Sequence, residues 1–220
     1  MKFLRAVFVI VCLMGSGFYA QAYEKGDVSV SLAALFSPLD LGTAWGEIYT
    51  DDQTASLHHD SKLGKPGIGG ELQALYYINP RLGVGVSFTD QYFSKDLASG
   101  WYVNTQTRMR NVMAVGHILL TPQHAYKLYI PLGVGLAHTD FAMDFTSIGA
   151  TKQHFRYDGF AYYVGLGVEK EVFSHFSVGL EARYNGNRFH NSQVLTNGHR
   201  IAVYHKANFA TVLLRGIYTF

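Results

Sequence analysis

After an apolar N-terminal stretch, hydrophobic residues recur at every second position in eight separate segments. In the first, Val28 to Phe36, one face carries Val28, Val30, Leu32, Ala34 and Phe36, and the other Ser29, Ser31 and Ala33. The second, Ile68 to Ile78, sets Ile68, Leu72, Ala74, Tyr76 and Ile78 against Glu71 and Gln73. The third sets Leu82, Val84, Val86 and Phe88 against Gly83, Gly85, Ser87, Thr89 and Gln91. The fourth, Arg108 to Leu120, is less regular, with Val112, Ala114, Ile118 and Leu120 opposing Asn111, Met113 and His117. The fifth opposes Ile130, Leu132, Val134 and Leu136 to Gly133, Gly135 and Ala137, and the sixth Phe160, Tyr162, Val164, Leu166 and Val168 to Ala161, Gly165, Gly167 and Glu169. The seventh runs Phe176 to Tyr184 with Ser177, Gly179, Glu181 and Arg183 on its second face; the eighth places Val212, Leu214 and Tyr218 opposite Thr211, Arg215 and Thr219 and ends at Phe220. A period of two is that of a β-strand, since successive side chains point to opposite faces.

A soluble β-sandwich alternates in the same way. Three features separate this chain from one. Its second face is mostly glycine, alanine, serine and threonine with a few charges, where a soluble exterior carries many Lys and Glu. Connection lengths alternate: Asn79 to Arg81, Thr121 to Lys127 and Phe173 to His175 are short, while Ser37 to Gly67, Ser94 to Thr107, Phe141 to Asp158 and Asn185 to Arg200 are long. Aromatics stand near segment ends, at Phe36, Tyr76, Tyr77, Tyr92, Phe93, Tyr126, Tyr129, Tyr162, Tyr163, Tyr184 and Tyr218. A ring with a polar tip suits a membrane interface. These features predict an all-β fold: an eight-stranded antiparallel up-and-down transmembrane β-barrel with short periplasmic turns and four long extracellular loops.

The N-terminus fits that placement. Lys2 and Arg5 precede the uncharged run Ala6 to Met14, which is too short to span a bilayer, and Ala20-Gln21-Ala22 is a small-residue cleavage site. Residues 1–22 read as a signal peptide, with Ala20 and Ala22 at the cleavage site, leaving residues 23–220 as a single barrel domain. Cys12 follows Val11 rather than a small residue, which argues against lipidation, and no cysteine follows it, so the mature chain holds no disulfide. Cleavage removes two basic residues and no acid, leaving sixteen basic against sixteen acidic residues. A neutral chain without a basic cluster does not suit nucleic acid.

The segment Tyr162 to Glu169 (YYVGLGVE), then Phe176 to Tyr184 (FSVGLEARY), and Ile130 to Leu136 (IPLGVGL) resemble the OmpA-type and opacity-type outer-membrane β-barrel superfamily. The terminal Gly216-Ile217-Tyr218-Thr219-Phe220 is similar to that class's assembly signal, a final Phe with an aromatic two residues before it. The resemblance implies export to the bacterial outer membrane, contact with its lipid and lipopolysaccharide, and recognition of Tyr218 and Phe220 by the barrel assembly machinery. The chain reads as the barrel part alone, without a peptidoglycan-binding domain after it.

Candidate chemistry lies first inside the barrel. Glu71, Glu181, Arg183 and Arg215 fall on the second face at similar heights, and charges in a dry lumen need partners. An ion-pair network is expected there, as a plug or as the gate of a narrow pore. His190 and Ser192 resemble the pair of outer-membrane lipid A deacylases. A catalytic histidine of that kind needs an acid to orient it, and no Asp or Glu occurs from Ser192 to Phe220. His58-His59-Asp60 could ligate a metal, but adjacent residues of a strand point apart and no second cluster stands at ligand spacing. Gly165-Leu166-Gly167 opens no helix and is no phosphate loop. No cofactor, metal or catalytic residue is expected. The function expected is a non-enzymatic structural or adhesin-like role, with a host or other extracellular ligand at the loops. A narrow porin for small or apolar solutes is the alternative, and a lipid A hydrolase a second.

Overall fold

In the computed structural model, residues 22–44, 66–96, 104–144, 153–194 and 200–220 are described. Eight strands follow one another: β1 (Val28–Ala44), β2 (Gly67–Asn79), β3 (Leu82–Asp96), β4 (Asn104–Leu119), β5 (Tyr126–Asp144), β6 (Gln153–Phe173), β7 (Phe176–Val194) and β8 (Arg200–Thr219). Each pairs antiparallel with the next, and β8 returns to β1, so the sheet closes into a barrel. Closure leaves no edge with unpaired backbone groups, the condition the bilayer imposes on any spanning sheet. Ladder neighbours followed from Val30 through Ala74, Val86, Ala114, Val134, Tyr162, Gly186 and Asn208 return to β1 at Gly42, twelve positions on. Two register shifts against β8, between Phe36 and Leu39 and between Asp40 and Gly42, account for two of the twelve. The remaining stagger of about ten tilts the strands and leaves an interior that side chains fill.

The short turns are those the sequence predicts, and two carry visible local causes. Asn79 Oδ1 accepts the Arg81 amide at 2.8 Å, a side-chain turn ahead of Pro80-Arg81. His175 takes a φ of +66° in the two-residue β6–β7 link.

Even-numbered residues of β2 to β8, and of β1 as far as Phe36, face outward. Leu32, Leu72, Val86, Val112, Val134, Leu136, Leu166, Leu180 and Leu214 are exposed and form an apolar belt. On β2 it runs from Ile68 to Tyr76. Eight residues at ~3.3 Å along strands tilted ~40° span about 20 Å, near the ~25 Å apolar band of such barrels. Phe36, Tyr92 and Tyr184 bound it at the extracellular side, and Tyr76, Tyr126, Tyr218 and Phe220 at the periplasmic side.

Two expectations need correction. Tyr77, Phe93, Tyr129 and Tyr163 do not join the girdle; all four are buried in the lumen. The period of two requires it, because Tyr76 and Tyr77, or Tyr162 and Tyr163, cannot share a face. The strands also run beyond the expected boundaries. Ser37 to Ala44, Ser94 to Asp96, Asn104 to Thr107, Phe141 to Asp144, Gln153 to Asp158 and Asn185 to Val194 are strand, not loop. In these segments backbone pairing continues past the apolar belt.

Candidate functional site

The side chains that converge on one place are those of the lumen, and they stack in layers. At the periplasmic end the segment before β1 folds inward. Tyr23 lies flat on Tyr77, with centroids 3.8 Å apart, and its hydroxyl donates to Glu169 Oε1 at 2.6 Å. Lys127 Nζ stands 4.0 Å from the Tyr23 ring centre and 3.9 Å from Glu169 Oε1. The segment is fixed through its backbone: the Gly26 amide donates to the Tyr77 carbonyl, and the Tyr77 amide to that of Asp27, each at 2.9 Å. Burial, followed by the neighbouring Glu169 carboxylate, pushes the Tyr23 phenol well up, so the hydroxyl remains a donor.

The next layer is ionic. The structure brings Glu71, Glu181, Arg183 and Arg215 together, each side chain at most 1 % exposed. Arg183 holds Glu71 with both terminal nitrogens, at 2.5 and 3.0 Å, and reaches Glu181 through Nε. Arg215 Nη2 donates to Glu71 at 2.7 Å and to Glu181 at 3.3 Å, while its Nη1 donates to Ser31 and Gln73 at 2.7 and 2.8 Å. Two guanidinium forks and two carboxylates thus alternate around a ring that ties β2, β7 and β8. Tyr129 donates to Glu181 at 3.0 Å and stacks on His117, and the Arg183 guanidinium lies 3.9 Å over the Tyr163 ring.

The glycines of the inner face explain how these rings fit. A Cβ at Gly167 would sit 2.2 Å from the Tyr129 ring, and one at Gly133 would sit 2.3 Å from the Tyr163 ring. Each tyrosine lies against the wall of the neighbouring strand where that wall has no side chain. Above the ionic layer, Asn185, Thr211, Ser37 and Gln91 link by hydrogen bonds of 2.8 to 3.3 Å. Phe93 and Phe209 then meet edge to face at 5.3 Å, packed with Met109 and Ala207.

This closed antiparallel eight-stranded barrel, apolar outside and packed inside, matches a family model described as outer membrane protein beta-barrel domain over residues 8–209. The chain belongs to that family. It is accordingly a protein of the bacterial outer membrane. Among solved structures, the outer membrane protein OprG from Pseudomonas aeruginosa shares 14 % identity at a TM-score of 0.57, covering 90 % of this chain and 98 % of that one, which shows the shared fold. Ail of Yersinia pestis, solved in complex with the heparin analogue sucrose octasulfate, is also similar (18 % identity, TM-score 0.43, 85 % and 99 % covered). So is the outer membrane protease OmpT from Escherichia coli (9 %, 0.46, 94 % and 100 %). No curated protein matches the chain in sequence.

His190 and Ser192 lie in β7, paired through the backbone with Tyr204 and Ala202. His58, His59, Asp60 and Ala20 lie outside the described residues; Ala22 is the first one described. Tyr218 and Phe220 are exposed outside the barrel, their rings 4.9 Å apart. The Phe220 amide donates to the Val28 carbonyl at 2.9 Å, which fixes the chain end to the first strand. Sequence reasoning missed Lys127, Glu169 and Tyr23. Glu169 did stand on the glycine face, and that was its available signal.

Proposed function

We propose that this protein is a non-enzymatic outer-membrane barrel whose lumen is sealed and whose role is carried at its extracellular end, as a structural or adhesin-like surface protein. The observation that carries this reading is the Glu71–Arg183–Glu181–Arg215 ring, placed between the Tyr23–Tyr77 layer below and the Phe93–Phe209 layer above. Three successive layers of buried side chains stand in the lumen, which argues for a plug and for a role at the extracellular end, toward a host surface, matrix or lipopolysaccharide. The terminal Tyr218 and Phe220 serve as the signal for the barrel assembly machinery. Deleting Phe220 should lower the amount of protein in the outer-membrane fraction several-fold; a normal amount at high expression would remove that role.

One observation favours a second reading, a narrow channel. Ser87 Oγ, Thr89 Oγ1, Asn111 Oδ1 and Thr139 Oγ1 are buried on the β3–β5 side of the lumen and make no hydrogen bond among the described residues. Buried polar atoms of this kind are met by water, which supports a hydrated strip beside the ring. A deletion strain compared for adhesion, small-solute permeability and lipid A mass separates the readings. The sealed-barrel reading expects adhesion to fall with the other two unchanged. Stepwise conductance of the purified protein in a planar bilayer would replace it with the channel, and a lipid A mass shift would replace it with an enzyme.

A further inference from the structure

The chain folds back on itself just before β1. Gly26 takes a φ of +104°, a conformation open to glycine without steric cost. The Asp27 amide donates to the Glu24 carbonyl at 3.3 Å. Asp27 Oδ2 in turn accepts the Glu24 amide at 2.8 Å. The Asp27 carboxylate therefore stands one residue along the backbone from the Tyr23 nitrogen.

Tyr23 is fixed by its side chain, with its ring buried against Tyr77 and its hydroxyl on Glu169. Ala22, directly before it, is half-buried. Both line a recess at the periplasmic mouth, together with Asp27, Lys127, Glu171 and His175. The acids of this lining are Asp27 and Glu171. Its lysine, Lys127, stands by Glu169 and the Tyr23 ring. Glu24 and Lys25 are exposed in the turn and offset each other. Around the mouth, Asp27, Glu169 and Glu171 thus face Lys127, an excess of negative charge.

We propose that Tyr23 is the first residue of the mature protein and that its freed α-ammonium binds the Asp27 carboxylate in this recess, facing Glu171, so that removal of the leader supplies the cation that locks the periplasmic layer. This lock rests on the reading of residues 1–22 as a leader. Hydrolysis of the Ala22–Tyr23 bond by a leader peptidase puts water's hydroxyl on the Ala22 carbonyl carbon and its hydrogen on the Tyr23 nitrogen, which takes up a proton at neutral pH. The cut precedes folding, because the folded barrel holds Tyr23 inside. Before the cut that nitrogen is a neutral amide with a single hydrogen. After it, the nitrogen is a cation with three donors beside a carboxylate that the turn already holds in place. Charge-assisted hydrogen bonds of this kind are the strong ones, and a held acceptor lowers the ordering cost of making them.

The test compares two mature chains refolded in a zwitterionic detergent. One starts at Tyr23; the other keeps Gln21 and Ala22, which moves the ammonium about 7 Å along the chain. The Tyr23 start should convert to the slow-migrating form at a midpoint about 2–4 °C higher at neutral pH. Asp27→Asn keeps an oxygen for the Glu24 amide and removes the charge, so it should abolish that gap. A carboxylate raises the pKa of an ammonium beside it. The gap should accordingly be full below the ordinary α-amino range of about 7.7–8.0 and close as pH rises above it. Lys127, Glu169, Glu171, His175, Tyr77, Glu24 and Lys25 face or flank the site in both chains, and their titration cancels in the difference. Should Asp27→Asn fail to fold, the Tyr23 α-amine of the unsubstituted chain is labelled by ¹³C reductive methylation and titrated by NMR. Its midpoint should lie higher in the folded protein than in urea. Equal midpoints of conversion for the two starts, a gap that survives Asp27→Asn or high pH, or equal titration folded and unfolded overturns the lock. The mass of the protein isolated from outer membranes is a separate check: a first residue other than Tyr23 overturns the leader reading itself.

Discussion

Arginine–carboxylate pairs occur on both sides of the same barrel wall. Inside, Arg183 and Arg215 bind Glu71 and Glu181 with every partner at most 1 % exposed. Outside, Arg108 binds Asp90 at a similar distance, but with the two side chains 54 % and 32 % exposed. The geometry is alike and the surroundings are not. A dry pair is costly to leave half-made, because the remaining charge has no water to turn to. A wet pair loses little when broken, since solvent takes the partner's place and salt screens it. The lumen ring therefore ties β2, β7 and β8 together, while the outer pair stays in contact with its surroundings.

That contrast can be broken or sharpened by substitution. Glu181→Ala leaves two guanidiniums with one carboxylate and removes the acceptor of Tyr129. It should cost about 3–5 kcal/mol, measured in detergent as a lower temperature for conversion of the compact, SDS-resistant form to the slow-migrating one. The same variant in a planar bilayer sorts plug from gate: lost stability without conductance supports the plug, and gained conductance supports a gate. Gly167→Val attacks the ring indirectly. Its side chain would meet the Tyr129 ring, displacing the tyrosine from Glu181, at a cost of roughly 1–3 kcal/mol. Tyr23→Ala removes the periplasmic layer and strands the Glu169 carboxylate without its 2.6 Å donor. A loss of about 1–3 kcal/mol is expected, checked by the same heat-conversion assay. Asp90→Asn in the outer Arg108–Asp90 pair should cost only about 0.2–1 kcal/mol and lose even that in high salt. A loss there as large as that of Glu181→Ala would show that burial is not what separates the two sets.

The ring was legible before any coordinates because its four members stand at odd positions within strands whose even positions are apolar. Parity alone puts them inside, and counting from the short turns puts them at one height. The same parity carried information that was misapplied at Tyr77, Tyr129 and Tyr163. A preference of tyrosine for interfaces suggested a girdle, whereas position within the strand had already turned these rings inward. The glycines opposite them, Gly167 opposite Tyr129 and Gly133 opposite Tyr163, are the matching signal, but it appears only once ladder neighbours are known. Lys127 escaped notice because it sits at the second residue of β5, where a turn reading ends. The upper strand segments were hidden for a different reason. There the apolar alternation stops, so Asn104 to Thr107 and Gln153 to Asp158 read as connections although they are strand.

The seam between β1 and β8 also governs how this protein comes to exist. Ser29 pairs with Thr219 and Val30 with Tyr218, so the first strand made waits for the last before its second edge is satisfied. Contacts so distant along the chain form slowly. Until they form, β1 and whichever strand was added last both offer open backbone to any passing partner. Synthesis from the N-terminus therefore gives no head start. A chain stopped anywhere short of β8 keeps two open edges, so closure is a single late event that only the last strand can complete.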